Sequence, residues 1–376
     1  MIDPSDFYNQ LFDINIKFFT GVPDSLLKEF CLCMDSQVPK EKHIIAANEG
    51  NAVAIATGHY LATNKLPLVY MQNSGLGNAI NPLLSLCDSD VYSIPMLIMI
   101  GWRGEPDVID EPQHIKQGTI QLELLDVLGL PYEIISKNSN DYVKKLKKVA
   151  NIAKDLNKPV VLLVKKGTFS KFDQEKIEVT NNKIKREEAL KIILEKLGDD
   201  AIIISTTGKT SREIFEIRKT NGKSHNQDFL TVGSMGHCSS IALGIALAKP
   251  NRKIFCIDGD GAMLMHLGSL ATIGKIKPNN FYHILLNNEA HESVGGQETA
   301  AKNIDLSKIV DAIGTSKIFF ADTLDELNER TSEFINSNGP SFLEVRTKVG
   351  SRSDLGRPDI KPSDNKVSFM SFINRQ

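Results

Sequence analysis

Short apolar runs alternate with amphipathic segments along the whole chain. In the first half, the runs that predict strands are "NIKFFTG", "HIIAA", "LPLVYMQ", "IPMLIMIG", "PYEIIS" and "PVVLLVKK". In the second half they are "AIIIST", "DFLTVGS", "KIFCIDG", "FYHILLNN", "KIFFA" and "SFLEVR". Segments between them, such as "EGNAVAIATGHYLATN" and "HCSSIALGIALAKP", predict helices. Strands that are apolar on both faces and joined by helices are typical of covered parallel sheets. The pattern therefore predicts an α/β protein with two doubly wound, mainly parallel sheets.

A polar stretch divides this pattern into two halves of six predicted strands each. The stretch, "FSKFDQEKIEVTNNKIKRE", covers residues 169–187 and has no apolar periodicity, which is typical of a linker. It predicts one domain over residues 1–168 and a second over residues 188–376. The length of 376 residues supports two or three domains at about 150 residues each.

Composition excludes several classes of partner. Lys and Arg number 44 against 46 Asp and Glu, so the net charge does not favour nucleic acid. The start, "MIDPSDFYNQ", lacks the features of a signal peptide, and no apolar run reaches the roughly 18 residues of a membrane span. The five cysteines form no CxxC pair, and most of them lie in apolar runs. We expect a cytoplasmic protein with no membrane partner and no disulfides.

Two acids stand among glycines in "CIDGDGAMLMHLGSL", where an apolar strand turns into a helix. A carboxylate at the carboxyl end of a parallel strand lies where open α/β sheets bind ligands. The GxG spacing of Gly259 and Gly261 suggests a dinucleotide fingerprint, but the third glycine of that motif is missing because position 264 is Leu. We therefore reject the dinucleotide interpretation.

The spacing from Asp260 to Asn288 predicts a metal site. One helix and one strand separate them. A helix rises about 1.5 Å per residue and a strand about 3.3 Å, so the strand returns over about the same distance that the helix covers. A carboxylate, an amide oxygen and a backbone carbonyl suit Mg²⁺, and the amides of Gly261 and Ala262 can hold a phosphate. The alternative is that Asp258 and Asp260 only cap a helix and the asparagines only turn a loop.

"GDG", followed 27 residues after Asp260 by "NN", resembles the diphosphate motif of thiamine-diphosphate enzymes. The resemblance implies thiamine diphosphate and Mg²⁺ as cofactors, with the metal on Asp260, Asn288 and the carbonyl of Ala290, and a structural role for Asn287. The segment "GSMGH" resembles the one whose large apolar residue, here Met235, holds the cofactor bent. The resemblance implies further cofactor contacts at Gly208, Ser234, Gly259, Gly261, Ala262 and Asn288.

Family members also need an acid in a pyrimidine-binding (PYR) first domain, beside the diphosphate-binding (PP) second domain. Glu49 lies in "HIIAANEGNAVAIA", between an apolar strand and an alanine-rich helix, and it matches the family's catalytic Glu. Such an acid must hydrogen-bond a pyrimidine nitrogen in a dry site. The alternative is that Glu49 only favours the helix dipole, at about 0.3–1 kcal/mol. Because the two cofactor sites lie in different domains, the resemblance implies a homodimer or larger assembly with shared active sites.

The substrate prediction depends on five stretches: "FFTGVPDSLL", "YMQNSGLGNAINPL", "GWRGEPDVIDEPQH", "GSMGHCSSIALG" and "NNEAHESVGGQ". They resemble short family members that decarboxylate a 2-oxo acid bearing a phosphonate, in phosphonate biosynthesis, to the aldehyde and carbon dioxide. The closest alternative is a decarboxylase for the corresponding sulfonate. A non-catalytic thiamine-diphosphate-binding protein is a further alternative, although it would not need Glu49. A carboligase side activity also stays open.

A doubly charged phosphonate needs Arg or Lys side chains and other donors. The candidates are Ser25 and Arg103 in the first half, and Arg352 and Arg357 in the glycine-containing run "TKVGSRSDLGRP". Ser25 can instead cap a helix, and the C-terminal run can instead be a solvated tail. Two histidines are candidates for proton transfer, His114 after "DEPQ" and His291 just beyond Asn288.

Overall fold

A computed structural model describes residues 1–173 and 182–375. The chain divides into two compact units, Met1–Ile177 with Val294–Gln297, and Glu178–Ser293 with Glu298–Gln376. Part of the predicted linker, residues 174–181, lies outside the described residues. The predicted domain boundaries therefore stay a prediction.

The first unit is built on a six-stranded sheet in which every strand pair is parallel. The strand order is β2-β1-β3-β4-β6-β5. The strands are β1 (Phe19–Gly21), β2 (His43–Ile45), β3 (Leu68–Gln72), β4 (Leu97–Gly101), β5 (Tyr132–Ile135) and β6 (Val160–Val164). Each lies within one of the six apolar runs of the first half.

Helices cover both faces of this sheet. They are α1 (Pro4–Asp13), α2 (Lys28–Gln37), α3 (Glu49–Thr63), α4 (Leu76–Pro82), α5 (Pro112–Thr119), α6 (Gln121–Val127) and α7 (Tyr142–Leu156). Successive residues of the central strands enter two separate cores. Leu97 and Met99 pack in one core, while Ile98 and Ile100 pack in the other. Side chains alternate across a strand, so a strand buried on both faces must be apolar at nearly every position.

The second unit has a seven-stranded parallel sheet. Six strands follow the order β12-β13-β11-β10-β8-β9, and β7 pairs with β13. The strands are β7 (Ile184–Lys185), β8 (Ile202–Ser205), β9 (Asp228–Leu230), β10 (Ile254–Gly259), β11 (Phe281–Asn287), β12 (Lys317–Ala321) and β13 (Ser341–Lys348). The short strand β7 lies within the stretch predicted as linker, and so does Arg186, where the next helix begins. Its two residues are too few to show periodicity.

The helices of the second unit again cover both faces of the sheet. They are α8 (Arg186–Leu197), α9 (Lys209–Thr220), α10 (Cys238–Ala248), α11 (Asp260–Met265), α12 (Ser269–Ile276), α13 (Leu306–Ile313), α14 (Leu324–Asn336) and α15 (Pro362–Ile373). Along β10, Phe255 and Ile257 pack in one core and Ile254 and Cys256 in the other. All five cysteines are buried free thiols. Within the described residues, no helix combines the length and apolar character needed to cross a bilayer.

Candidate active site

The carboxyl group of Asp260 lies at the junction of β10 and α11 in the second unit. Its residue is only 3% exposed, and the hydroxyl of Thr299 donates a hydrogen bond to Oδ2. Burial raises the pKa of Asp260 to about 6, although Thr299 and backbone hydrogen bonds involving Asn288 and Gly261 lower it. Because burial disfavours the charged form, a cation beside Asp260 would stabilise its ionised carboxylate.

Asn288 follows the end of β11, the strand that pairs with β10. It is buried, and its Nδ2 donates to Oε2 of Glu292 at 2.9 Å. Its Oδ1 accepts from the backbone N–H of Ala290 at 3.1 Å. The backbone of Asn288 therefore adjoins the Asp260 carboxyl group, and the amide oxygen lies on the side of the loop that contains Ala290.

Asn287 has a different environment from its neighbour. It is fully buried, donates from Nδ2 to Oε1 of Glu344 at 2.8 Å, and accepts from the N–H of Glu289 at 3.1 Å. Glu344 is held in turn by Arg346 and by the hydroxyl of Ser307. These contacts anchor the start of the loop to β13, which agrees with a structural role for Asn287.

Gly261 lies where α11 begins, and His291 and Met235 lie against it. A Cβ built on Gly261 would be 3.1 Å from Cε1 of His291 and 3.5 Å from Cε of Met235. Gly236 packs against the same helix, since its Cβ would lie 2.9 Å from the carbonyl oxygen of Ala262. The "GSMGH" segment, His291 and the start of α11 are thus brought together; the roles of Met235 and His291 stay predictions.

Three other residues predicted to contact the cofactor have less specific surroundings. Gly208 precedes α9 with φ of +92°, and a Cβ there would lie 3.3 Å from Oγ of Ser293. Ser234 is exposed with φ of 55°, and Gly259 precedes α11 in extended conformation. Their cofactor contacts stay predictions.

Asp258, the other acid of the motif, is used differently. It is fully buried; its Oδ1 accepts from the N–H of Gly259 at 2.9 Å, and its Oδ2 lies 3.5 Å from Nε2 of His283. Burial alone would lower the pKa of His283, but Cys256 and Asp258 beside it raise the pKa to about 10. Asp258 therefore faces a histidine of the neighbouring strand β11.

Glu49 is the first residue of α3 in the first unit. Asn48 caps this helix by accepting from the N–H of Asn51 at 2.9 Å. The Glu49 residue is 5% exposed, and Nδ2 of Asn78 donates to its Oε2 at 2.8 Å. Burial raises the pKa of Glu49, and the hydrogen bond from Asn78 offsets part of that rise. The result is a buried acid that holds its proton more tightly than an exposed glutamate.

Gly75 fixes the position of Glu49 from the other side. A Cβ at position 75 would lie 2.2 Å from Oε1 of Glu49 and 2.5 Å from its Cδ, which no side chain can tolerate. The Gly75→Ala variant is therefore expected to displace the Glu49 carboxyl group. A displacement of about 1 Å lowers turnover by roughly 10²-fold, measurable as kcat for the best substrate. The Gly77→Ala variant is the control, because a Cβ there meets nothing within 4 Å. Equal activity of the two variants would contradict a positional requirement at Glu49.

Ser25 and Arg103 lie together in the first unit. Nη1 of Arg103 donates to Oγ of Ser25 at 2.8 Å, while Nε and Nη2 bind both oxygens of Asp110. Asp24, next to Ser25, is fully buried and accepts from Nε2 of Gln72 at 2.6 Å, and burial raises its pKa. Arg103 thus forms an ion pair with Asp110, and two of its five N–H donors are not used by Asp110 or Ser25.

His114 belongs to the same region. Burial and the neighbouring Arg103 lower the pKa of His114 to about 4, although Asp110 raises it. Its Nδ1 is buried without a hydrogen-bond partner. The imidazole is therefore neutral near pH 7 and has one ring nitrogen that no described residue engages.

The C-terminal candidates lie in the second unit. Arg352 makes ion pairs with Glu187, Glu216 and Asp354, and the N–H of Gly356 donates to Oε1 of Glu216 at 2.6 Å. The run "TKVGSRSDLGRP" is thus bound to α8 and α9 through acidic side chains. Arg357 is exposed. Within the part of the chain that the structure describes, Arg352 pairs with these three acids, and neither Asp260 nor Asn288 is among them.

Comparisons with known proteins assign the family. Residues 6–128 match the model described as "Thiamine pyrophosphate enzyme, N-terminal TPP binding domain", and residues 206–345 match the corresponding C-terminal TPP binding domain. The chain is 32% identical over 390 residues to phosphonopyruvate decarboxylase of Streptomyces viridochromogenes, covering 99% of this chain and 95% of the relative. The chain belongs to the phosphonopyruvate decarboxylase family of thiamine pyrophosphate enzymes.

Two further relatives extend this comparison. Phosphonopyruvate decarboxylase of Streptomyces hygroscopicus is 30% identical, over 99% of this chain and 94% of the relative. Sulfopyruvate decarboxylase of Methanosarcina acetivorans is 30% identical, over 87% of each chain. The two matched models describe TPP binding domains, and the structure has two parallel-sheet α/β units. The predicted α/β fold and the predicted thiamine diphosphate cofactor are therefore confirmed. The likeness to the two phosphonopyruvate decarboxylases extends over more of the chain than the likeness to the sulfopyruvate decarboxylase.

The residues present fit the cofactor of this family. Glu49 is a buried acid whose carboxyl group is closely approached by glycine, and Asp260 is a buried acid with an unusually high pKa. A carboxylate, an amide oxygen and a backbone carbonyl are the ligands that a hard cation such as Mg²⁺ prefers. Asp260, Asn288 and Ala290 would hold Mg²⁺, and Glu49 would contact the pyrimidine.

Sequence reasoning missed the residues that support these groups. They are Thr299 and Glu292 around the metal-site residues, Asn78 and Gly75 around Glu49, and Asp110 beside Arg103. "NSGLGN" and "NEAHES" contain three of them, but no periodicity marks them. Only the fold shows which side chain each one contacts.

Proposed function

We propose that this protein decarboxylates 3-phosphonopyruvate to phosphonoacetaldehyde and carbon dioxide, as a 2-oxo acid carboxy-lyase of phosphonate biosynthesis. The single observation that carries the proposal is similarity to phosphonopyruvate decarboxylases over 99% of the chain. Glu49, which a binding protein would not need, supports catalysis. The cofactors we propose are thiamine diphosphate and Mg²⁺.

The side chains have separate tasks in this reaction. When bound, thiamine diphosphate supplies a carbon nucleophile for the ketone and an electron sink for decarboxylation. Glu49 holds a proton for the pyrimidine nitrogen, and its raised pKa favours that protonated state. Asp260 supplies negative charge to the metal, while Asn288 and Ala290 supply neutral oxygens. His114 and His291 are proposed for proton transfer to and from the substrate.

Recognition of the phosphonate is proposed for Ser25 and Arg103 in the first unit, and for Arg352 and Arg357 in the second. The Ser25 hydroxyl and the guanidinium of Arg103 are already in contact at 2.8 Å, so a single anion can engage both. Arg352 must first exchange one of its three carboxylate partners. Ser25 and Arg103 are therefore the better supported pair.

The assembly and its location are also proposed. A homodimer or larger assembly follows from the family expectation that the pyrimidine and diphosphate sites of different subunits combine. Five buried, reduced thiols suit a cytoplasmic protein. A sedimentation measurement with and without cofactor tests the assembly.

Release of carbon dioxide from three substrates tests the function. Phosphonopyruvate, sulfopyruvate and pyruvate are offered separately, with Mg²⁺ and thiamine diphosphate. A site built for a dianion leaves polar groups unpaired when pyruvate binds, so we expect kcat/KM for phosphonopyruvate to exceed that for pyruvate by about 10⁴-fold. We also expect it to exceed that for sulfopyruvate.

Two outcomes would contradict the proposal. A kcat/KM for sulfopyruvate higher than that for phosphonopyruvate would instead support sulfopyruvate decarboxylation, the activity in the name of the Methanosarcina acetivorans relative. No release from any substrate, with calorimetry still showing cofactor binding, would favour a non-catalytic binding protein.

A further inference from the structure

Glu292 lies four residues beyond Asn288 and accepts hydrogen bonds from three side chains. Nδ2 of Asn288 donates to Oε2 at 2.9 Å, and Nη1 of Arg186 donates to the same oxygen at 2.6 Å. Nζ of Lys209 donates to Oε1 at 2.8 Å. The side chain of Glu292 is 8% exposed. It is therefore a nearly buried carboxylate between two cations and the amide of Asn288.

The cations that hold Glu292 are themselves fixed. Arg186, at the start of α8, binds Glu213 of α9 through two parallel hydrogen bonds of 2.7 and 2.8 Å. Such bidentate pairs restrict the guanidinium in both position and plane. Arg186 donates to Oε2 of Glu292 and Lys209 donates to Oε1, so both oxygens of this carboxylate accept hydrogen bonds from cations.

A carboxylate paired with two cations, as Glu292 is, accepts hydrogen bonds and donates none. Asn288 must then turn its NH₂ group toward Glu292, which directs its oxygen away from Glu292. The opposite rotation of the amide would place two oxygens against each other and direct the NH₂ group to the position of the metal. The N–H of Ala290 favours the same rotation by donating to Oδ1 of Asn288, and Glu292 adds an acceptor for the NH₂ group on the other side.

We propose that Glu292 is a positioning residue that selects the metal-binding rotation of the Asn288 amide. This inference rests on the proposed function, because it takes Asn288 as a ligand of Mg²⁺. Glu292 acts through Asn288, while Arg186, Lys209 and Glu213 keep its carboxylate in place. Groups that orient a metal ligand from behind affect metal affinity strongly.

The first test is the Glu292→Gln variant of the full chain. Glutamine keeps the shape but has one acceptor oxygen instead of two for the donors of Arg186, Lys209 and Asn288, and no charge to hold the cations, so the acceptor that faces Asn288 is weakened. The apparent Kd for Mg²⁺, measured by calorimetry with thiamine diphosphate present, is expected to rise about 10–100-fold. An unchanged Kd would overturn the proposal.

The second test repeats the change in an Asn288→Asp background. Aspartate has two equivalent oxygens and needs no orientation, and its charge is repelled by Glu292. Glu292→Gln is therefore expected to leave the Kd for Mg²⁺ unchanged or to lower it in that background. A change that weakens Mg²⁺ binding equally in both backgrounds would assign Glu292 a general structural role and overturn the proposal.

Matched variants separate orientation from folding and from the metal assignment. Glu213→Gln disturbs the same buried arginine without touching Asn288, so it is expected to lower the apoprotein Tm with little change in Kd. If Glu292→Gln does not fold, Glu292→Asp replaces it. The shorter aspartate retains the charge but withdraws it from Asn288, so it should weaken Mg²⁺ binding when residue 288 is Asn and not when it is Asp. If Asp260→Ala still binds Mg²⁺, the proposed metal site itself fails. If Asp260→Ala loses Mg²⁺ binding and Glu292→Gln does not, the metal site stands and only the positioning role of Glu292 fails.

Discussion

We expect the Asp260→Ala variant to lose binding of Mg²⁺ and, with it, tight binding of thiamine diphosphate. Asp260 would contribute the one carboxylate among the proposed metal ligands, since Asn288 and Ala290 offer neutral oxygens. The measurement is calorimetric titration of the cofactor at saturating Mg²⁺. Asp260→Asn retains an acceptor for the Thr299 hydroxyl, so it separates loss of charge from loss of shape. Unchanged affinity in folded Asp260→Ala protein would remove Asp260 from the metal site.

The same variants carry a stability signature in metal-free protein. The pKa of Asp260 is raised by burial to about 6 from its usual 3.8, so ionisation disfavours the folded state. At 1.36 kcal/mol per pKa unit, Asp260→Asn is expected to gain up to roughly 3 kcal/mol of unfolding free energy above pH 6. The gain should fall as pH drops below 6 and vanish below about 4, where the folded and unfolded proteins both carry a neutral Asp260. Denaturant unfolding across this pH range measures it, and a large loss of stability would instead indicate a structural role.

The sheets were predictable because their strands are buried on both faces. All six apolar runs of the first half became strands, and Ile98 and Met99 of the central strand β4 show why, since each side of β4 is covered by a separate core. The six runs of the second half also became strands, although β12, at the edge of its sheet, leaves Lys317 and Phe320 exposed. The two-residue strand β7 was missed because Ile184 and Lys185 stand in a polar stretch, and their pairing with β13 depends on the folded chain.

The closeness of Asp260 and Asn288 was predictable from lengths, whereas the residues around them were not. The single helix expected between them is two helices, α11 (Asp260–Met265) and α12 (Ser269–Ile276), but the strand β11 still returns Asn288 to the side of Asp260. Thr299 reaches Asp260 through an irregular loop that follows neither the 3.6-residue nor the two-residue period. Similarly, Arg352 stands in a run with the composition of an anion-binding segment, yet its partners Glu187 and Glu216 are distant in sequence. Long-range pairing of charges is decided by the fold.

Replacing Glu49 with glutamine should leave cofactor binding almost intact and remove most of the activity. Glutamine has the same shape as the protonated acid, and its carbonyl oxygen can still accept from Nδ2 of Asn78. It has no acidic proton to share with a pyrimidine nitrogen. Because a positioned acid contributes about 10²–10⁴-fold to a proton transfer, both kcat and the rate of proton exchange at the thiazolium carbon should fall within that range.

The exchange measurement decides the role of Glu49 because it reports cofactor activation before any substrate is added. Glu41→Gln is the matched control, since Glu41 is an exposed acid of the same unit in the turn Lys40–Lys42. It should exchange at the wild-type rate. Exchange at the wild-type rate in Glu49→Gln would remove Glu49 from the mechanism. The raised pKa of Glu49 would then be only a consequence of burying an acid beside Gly75, where no larger side chain fits.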